Sequence, residues 1–374
     1  MAVNHPTILL APVLRAEKWT SIDLHRANTL EQYARSAPDW RVVDIAPEEG
    51  LARLPFGKRI IRDFLYPWRA RRMGAQYNQS GTRPILHVID HSYGHLCAAW
   101  QPSVVTCHDL NHFTAPTLTG LALHAWRLRV SMMKRAERIF TVSETLAREV
   151  RHHLDLPDEK VVVAYNGIDT EMFRPLPREQ AAARFPELAV LAEKHLLVLN
   201  IGNNIERKNL PTLLRAVAHL RKERSLPVQL VKVGPHLRED GFGPMIDELG
   251  IAEAIIDLGV IPPADVALVC QLCHALSFPS TYEGFGRPTL EAQACRLPAV
   301  LADASCMREV GGAGALYHEP KNFVQLSQFL EKVMTDAPVR ERLCDEGEKN
   351  IQGFTWEAHV KKLVSVYEEI AAKA

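Results

Sequence analysis

The stretch Phe278–Ala299, FPSTYEGFGRPTLEAQACRLPA, decides how the rest of the chain reads. Just before it, the apolar run Ala275 to Phe278 is short enough to be a buried strand. A loop with Glu283, Gly284, Phe285 and Gly286 follows. Pro288 then stands where a helix begins, because a first-turn residue needs no free N–H. Leu290, Ala294 and Leu297 fall near helical spacing and give that helix an inward face. Strand, glycine loop and helix start together form an anion site, with backbone N–H groups pointing outward and a dipole that favours negative charge. Two carboxylates accompany it. Glu283 is on the loop, and Glu291 lies inside the helix with seven residues between them. Phosphate affinity beside two acids implies a ligand with both phosphates and hydroxyls, since carboxylates accept hydrogen bonds from sugar OH groups.

The Glu-x7-Glu spacing within YEGFGRPTLEA resembles the retaining glycosyltransferases of the GT-B fold, glycosyltransferase family 4 in particular. The resemblance implies that Glu283 contacts the transferred sugar and Glu291 the ribose of a nucleotide. It also implies that the amides of Gly284, Phe285 and Gly286 meet sugar and phosphate. The alternative is an ordinary strand–loop–helix corner with a solvated glutamate at each end.

Whole-chain properties bound these readings. At 374 residues the chain exceeds one typical core, so two domains are expected. Its 47% hydrophobic and 24% charged residues are those of an ordinary globular protein. Zero formal charge argues against nucleic acid as the main partner. Seven scattered cysteines without a disulfide framework point to a reducing, cytoplasmic compartment. No signal peptide is apparent, and no apolar run approaches a membrane span.

In the first half, apolar runs predict strands near residues 7–11, 41–45, 84–89, 103–107, 139–142 and 161–164. Ser21 is a candidate cap for a helix over 21–34, and Ser143 for one running to Val150. Asp90 and His91 directly follow one strand, and His108 and Asp109 another. Polar groups just past the carboxyl ends of parallel strands are where open α/β sheets bind ligands. The resemblance gives His108 a contact to the donor sugar and leaves Asp90, His91 and Asp109 as acceptor-side candidates. Asp109 either orients His108 or caps a turn. Lys58 to Arg72, KRIIRDFLYPWRARR, has six basic residues and one acid interleaved with Phe64, Tyr66 and Trp68. It is either a surface for an anionic membrane at its inner face, meeting a lipid-linked acceptor, or an amphipathic helix with solvated arginines. Pro67 is expected to interrupt a single long helix there.

In the second half, strands are expected near 196–201, 228–234, 255–259, 275–278 and 299–302, with helices near 323–335, 339–351 and 356–371. Gly202 ends one strand and opens GNNIERKNL, where a glycine lets a diphosphate approach the backbone. Lys208 offers a point charge and Arg207 a forked donor to phosphate oxygens. The segment resembles the family's phosphate loop, in which Lys208 is the dependable match. Cys270-x-x-Cys273 lacks further ligands at zinc spacing and reads as core.

The expected architecture is α/β, a GT-B pair of doubly wound Rossmann-like domains facing a cleft. Residues 1–186 form the acceptor-side domain, 187–352 the donor domain, and 353–374 a helix crossing back to the first. The expected function is retaining hexosyl transfer from a nucleoside-diphosphate sugar to a carbohydrate or lipid-linked acceptor, without cofactor. No Asp-x-Asp occurs to carry a metal, so cationic side chains would take its place. An epimerase or phosphorylase on the same fold, or a non-catalytic nucleotide-sugar-binding subunit, are the alternatives.

Overall fold

The computed structural model describes residues 5–17, 19–78, 82–114 and 118–373. The chain forms two compact units, one of residues Met1–Gly167 with Thr355–Ala374, the other of Ile168–Phe354. Each is built on a six-stranded, fully parallel sheet of α/β type.

In the first unit the strands are β1 (Ile8–Ala11), β2 (Val42–Asp44), β3 (Ile85–Val88), β4 (Ser103–Cys107), β5 (Arg138–Thr141) and β6 (Val161–Val163), in the order β2-β1-β3-β4-β5-β6. The four residues of β1 and of β3 are all buried, as expected for parallel strands covered on both faces. Helix Trp356–Ala371 packs Val360, Leu363 and Tyr367 against helix Thr20–Ser36, so the end of the chain completes the core begun by β1. Ser143 caps helix Glu144–Leu154, its Oγ accepting from the Leu146 N–H at 3.1 Å. Ser21 does not cap the first helix, which begins one residue earlier and has Trp19 at the N-cap.

Pro67 does not break its helix. The segment runs on from Gly57–Ile60 through a widened π turn, Ile61–Leu65, into Tyr66–Tyr77. Tyr66 N–H bonds back five residues to the Ile61 carbonyl, and this wider turn just ahead of Pro67 accommodates a residue without an N–H. The extra residue also shifts register. Gly57 and Ile61 are buried, then Tyr66, Ala70 and Gly74, which leaves Phe64 and Leu65 both on the solvent side.

The second unit has β7 (Leu196–Ile201), β8 (Val228–Val233), β9 (Ile255–Asp257), β10 (Ala275–Phe278), β11 (Ala299–Ala302) and β12 (Ala315–His318), in the order β12-β11-β10-β7-β8-β9. Sequence reading did not anticipate β12. The order reverses between β7 and β10, and such a switch point leaves a crevice at the strand carboxyl ends. The changeover between units, at Gly167 and Ile168, precedes the boundary expected at residue 186. Helices Arg178–Arg184 and Pro186–Ala192 bury Ala181 and Leu188 and pack on helix Pro263–Leu272, with Arg184 paired to Asp265 at 2.7 Å. Pro177 and Pro186, which precede and open these helices, therefore lie within the second unit.

Several histidines lie inside the first unit. His87 on β3 bonds Thr106 Oγ1 at 2.8 Å and Tyr367 Oη at 2.7 Å, and Tyr367 meets Tyr33 at 2.7 Å. The His25 ring sits 4.7 Å from that of His108 and 5.1 Å from that of His359. Burial, then the neighbouring imidazoles, lower His87 to about 3. Burial takes His359 to about 4, against a hydrogen bond to the Tyr165 carbonyl. Such groups are neutral when folded and take up protons on unfolding below pH ~6.5, so the stability they contribute is present above that pH and lost as it falls toward 4. At pH 5 each of the two is expected to cost on the order of 2 kcal/mol. Urea unfolding at pH 7 and pH 5 checks this, and a midpoint for the first unit that is flat over that range would contradict it.

Candidate functional site

The two loops at the switch point of the second sheet are tied together. Gly202, just past β7, takes φ +139°, a conformation that side chains rarely adopt. The chain then makes a single 3-10 turn, Glu206–Lys208, before helix Leu210–Lys222. Asn209 sits in the left-handed region, and its Nδ2 donates to the Pro279 carbonyl at 3.0 Å and the Pro320 carbonyl at 2.6 Å. Thr281 N–H donates to the Arg207 carbonyl at 2.8 Å, and Arg207 Nη1 to the Tyr282 carbonyl at 2.9 Å. Gly286 ends the second loop at φ +86°, and a Cβ there would lie 2.4 Å from Met307 Cε. Helix Arg287–Ala294 follows at once, with Pro288 in its first turn.

Glu283 is buried at the centre of this arrangement. Lys208 Nζ reaches its Oε1 at 2.6 Å and Arg207 Nη1 its Oε2 at 2.7 Å. Burial alone would push the carboxyl up. The charges and hydrogen bonds of Lys208 and Arg207 outweigh it and hold Glu283 below the usual carboxylate range. Behind it, the Glu283 carbonyl accepts from Ser305 Oγ at 2.5 Å and Cys306 Sγ at 3.2 Å, which fixes the loop backbone. Lys208 Nζ also lies 4.8 Å from the Phe278 ring centroid, a cation–π distance. Glu291 is buried one turn into the helix and accepts from Arg287 Nη2 at 3.0 Å. Gly284 and Phe285 are buried on the loop, and the Phe285 ring packs 5.8 Å from that of Phe354.

Six of the sequence-named residues, Gly202, Arg207, Lys208, Glu283, Gly286 and Glu291, thus belong to one corner. Arg207 and Lys208, expected to face phosphate, here face Glu283. Sequence reading missed Arg287, although its i,i+4 spacing to Glu291 signals a pair. It also missed Ser305 and Cys306, which no motif marks.

The candidates of the first unit form a second cluster at the ends of β3 and β4. His108 Nε2 bonds the Ile89 carbonyl at 2.9 Å, so that nitrogen carries the proton and Nδ1 the lone pair. Burial, partly opposed by the Asp90 charge, lowers its pKa. Asp90 is buried. It caps the short helix His91–Ala98 by accepting from the Ser92 N–H at 2.9 Å, and faces His91 Nδ1 at 3.5 Å. Asp109 accepts from the Asn111 N–H at 3.3 Å, the turn-capping alternative. His25 and His359, ring neighbours in this cluster, had no sequence signal.

Comparison with known proteins follows these two halves. A family model described as "Glycosyl transferases group 1" matches residues 184–350, and one described as "Glycosyltransferase Family 4" matches residues 29–172. The chain is 27% identical over 280 residues to the O-antigen chain mannosyltransferase B of Escherichia coli, covering 71% of this chain and 70% of that one. It is 28% identical over 260 residues to the MMP alpha-(1->4)-mannosyltransferase of Mycolicibacterium hassiacum, covering 66% of this chain and 59% of the relative's length. Sucrose-phosphate synthase from Thermosynechococcus elongatus superposes with a TM-score of 0.79 at 17% identity, over 99% of this chain and 100% of that one. Anabaena Alr3699/HepE, solved in complex with UDP and glucose, gives 0.75 at 17% identity, over 98% and 100%. Likeness at that identity establishes the fold. With a match in each half and this fold throughout, the chain belongs to the glycosyltransferases of the GT-B fold, in the family of group 1 and family 4 enzymes.

Proposed function

We propose that the protein transfers a hexose from a nucleoside-diphosphate sugar to an acceptor hydroxyl with retention of anomeric configuration, in the building of a glycan or glycolipid. The observation that carries this reading is the buried Glu283 carboxylate clasped by Lys208 and Arg207 at the switch point of the second sheet. An arriving diphosphate competes with Glu283 for those two cations. Lys208 and Arg207 turn to the leaving phosphates, together with the amides at the start of helix Arg287–Ala294. Glu283, released from them, accepts hydrogen bonds from sugar hydroxyls. Glu291, paired with Arg287, is the proposed partner of the ribose. His108 is the sugar contact proposed for the first unit. Lys208 and Arg207 supply the charge that a divalent metal supplies in other transferases.

Retention fits the same geometry. An inverting enzyme needs a base of raised affinity for the acceptor proton, and a carboxyl held below its usual range is a weak one. The mannosyltransferases among the relatives, and the UDP and glucose of the HepE structure, support a hexosyl nucleotide donor.

The acceptor reading draws on the helix through residues 57–77. Phe64 is 72% exposed and Trp68 57%, next to Phe56 at 72% and Leu54 at 57%. Arg59, Arg71 and Arg72 are exposed among them, Arg72 lying 5.4 Å from the Trp68 ring centroid. Aromatic side chains ringed by cations suit the headgroup level of an anionic bilayer and so a lipid-linked acceptor.

Two outcomes are expected. Among uridine, guanosine and adenosine diphosphates, at least one should raise the wild-type melting temperature, and Lys208→Ala should abolish that shift. Glu283→Gln, which removes the competing anion, should bind the nucleotide at least as tightly while transfer falls by roughly 10²–10³-fold. Unchanged nucleotide affinity in Lys208→Ala, or full transfer by Glu283→Gln, would overturn the reading, and turnover of donor without acceptor would indicate an epimerase. Separately, the protein should co-sediment with phosphatidylglycerol vesicles, less so at high salt, and Phe64→Ala with Trp68→Ala should weaken this by about tenfold without changing the melting temperature. Equal binding to neutral phosphatidylcholine vesicles, or none to either, would remove the membrane contact.

A further inference from the structure

Charge at the donor corner does not balance with the residues already named. Arg207 and Lys208 carry two positive charges and Glu283 one negative, while Arg287 and Glu291 cancel each other. A nucleoside diphosphate brings roughly two to three negative charges. Asn203, directly after Gly202, adds none.

A further ammonium lies directly behind this corner. Lys232 sits inside β8 with no exposed surface. Its Nζ donates to the Gly202 carbonyl at 2.5 Å and the Val233 carbonyl at 3.0 Å. Lys208 also stands against Gly202, its Nζ 3.5 Å from where a Cβ at that position would be. Two ammonium groups therefore stand against Gly202. Gly234, at φ +134°, keeps the space clear, since a Cβ there would lie 2.6 Å from Lys232 Nζ and 2.0 Å from the Gly202 oxygen.

A structural role alone accounts poorly for this lysine. Burying an ammonium costs several kcal/mol, and the hydrogen bonds it makes to two carbonyls do not require a full charge. Among the described residues no carboxylate lies within ion-pair distance of it. Asp257, the nearest acid electrostatically, is engaged by the Leu237 N–H at 2.7 Å and faces His236, and Asp240 accepts from Asn204. The charge is buried, without a carboxylate in direct contact, and pressed against the loop that an anion would meet.

We propose that Lys232 is the third cation of the donor site, a positioning residue that acts through the Gly202 peptide to make the carboxyl ends of β7 and β8 attractive to a diphosphate. This rests on the reading of the corner as a diphosphate site. Burial, with Lys208 adding to it and Asp257 opposing, pushes the ammonium down to about 8. The group is mostly charged at pH 7 and mostly neutral above pH 9. An anion prefers the charged form, so affinity should fall as pH rises through that range.

Calorimetry with whichever of the three nucleoside diphosphates raises the wild-type melting temperature tests this. Lys232→Met is expected to weaken binding about tenfold at pH 7, and Lys232→Arg to restore most of it. Wild-type affinity should drop by about tenfold between pH 7 and pH 9.5, and Lys232→Met should flatten that slope. Asp257, Asp240, His236, Lys208, Arg207 and Glu283 also face this region, and the Lys232→Met profile subtracts their contribution. The ligand-free melting temperature of Lys232→Met should stay within a few degrees of wild type, because a methionine fills the same volume without a buried charge. Wild-type affinity and slope in Lys232→Met would overturn the proposal. Should that variant not fold, a wild-type affinity independent of pH would overturn it. Absence of any diphosphate binding, or a silent Lys208→Ala, would remove the site itself and is read separately from the lysine.

Discussion

The clasp of Glu283 between Lys208 and Arg207 is the constraint from which the rest of the donor corner follows. It joins the loop after β7 to the loop after β10, the two strands between which the sheet order reverses. A buried ion pair adds little net stability, because desolvation offsets most of the Coulomb gain, yet removing one partner is costly. Such a clasp therefore fixes geometry more than it deepens the folded well. The ties to backbone alongside it, from the Asn209 side chain and the Thr281 N–H, hold the loops in register without using the carboxylate or its cations. The carboxylate can then exchange partners while the loops keep their places.

This explains why the glycines stand where they do. Gly202 and Gly234 bring neighbouring strand ends so close that a side chain at 234 would strike the Gly202 oxygen, and Gly286 lets the second loop turn tightly against Met307. Each removes bulk from the same small region. The result is a patch of peptide and ammonium groups at the carboxyl end of a parallel sheet, where helix dipoles add to the same sign.

Much of this was legible in the sequence, for a definite reason. Parallel strands covered on both faces read as mainly apolar runs, so β1, β3, β7, β8 and β10 could be placed from composition. The motif residues were legible because glycine and proline mark backbone geometry directly. β12 was not, because ALYH carries a histidine and a half-buried tyrosine and shows neither an apolar run nor alternation. Lys232 was invisible for the opposite reason: a lysine in a strand ordinarily signals a solvent face, and only the fold reveals that both faces are covered. The contact between Tyr33 and Tyr367 spans 334 positions and has no local trace. Pro67 misled because a proline breaks a regular α-helix, whereas the π turn at Ile61–Leu65 is not regular.

The two units share one architecture and differ in what they place at their strand ends. In the first, His91 and His108 stand beside Asp90 and Asp109 at the ends of β3 and β4, with His87 and His359, buried behind them, far below their ordinary range. In the second, Lys208, Arg207 and Lys232 gather around one peptide and one carboxylate, and that suits phosphate. A sheet with a switch point provides a crevice but no sign of charge. That sign comes from a few side chains near strand ends, so two parallel-sheet units, here with different strand orders, can present groups of different charge.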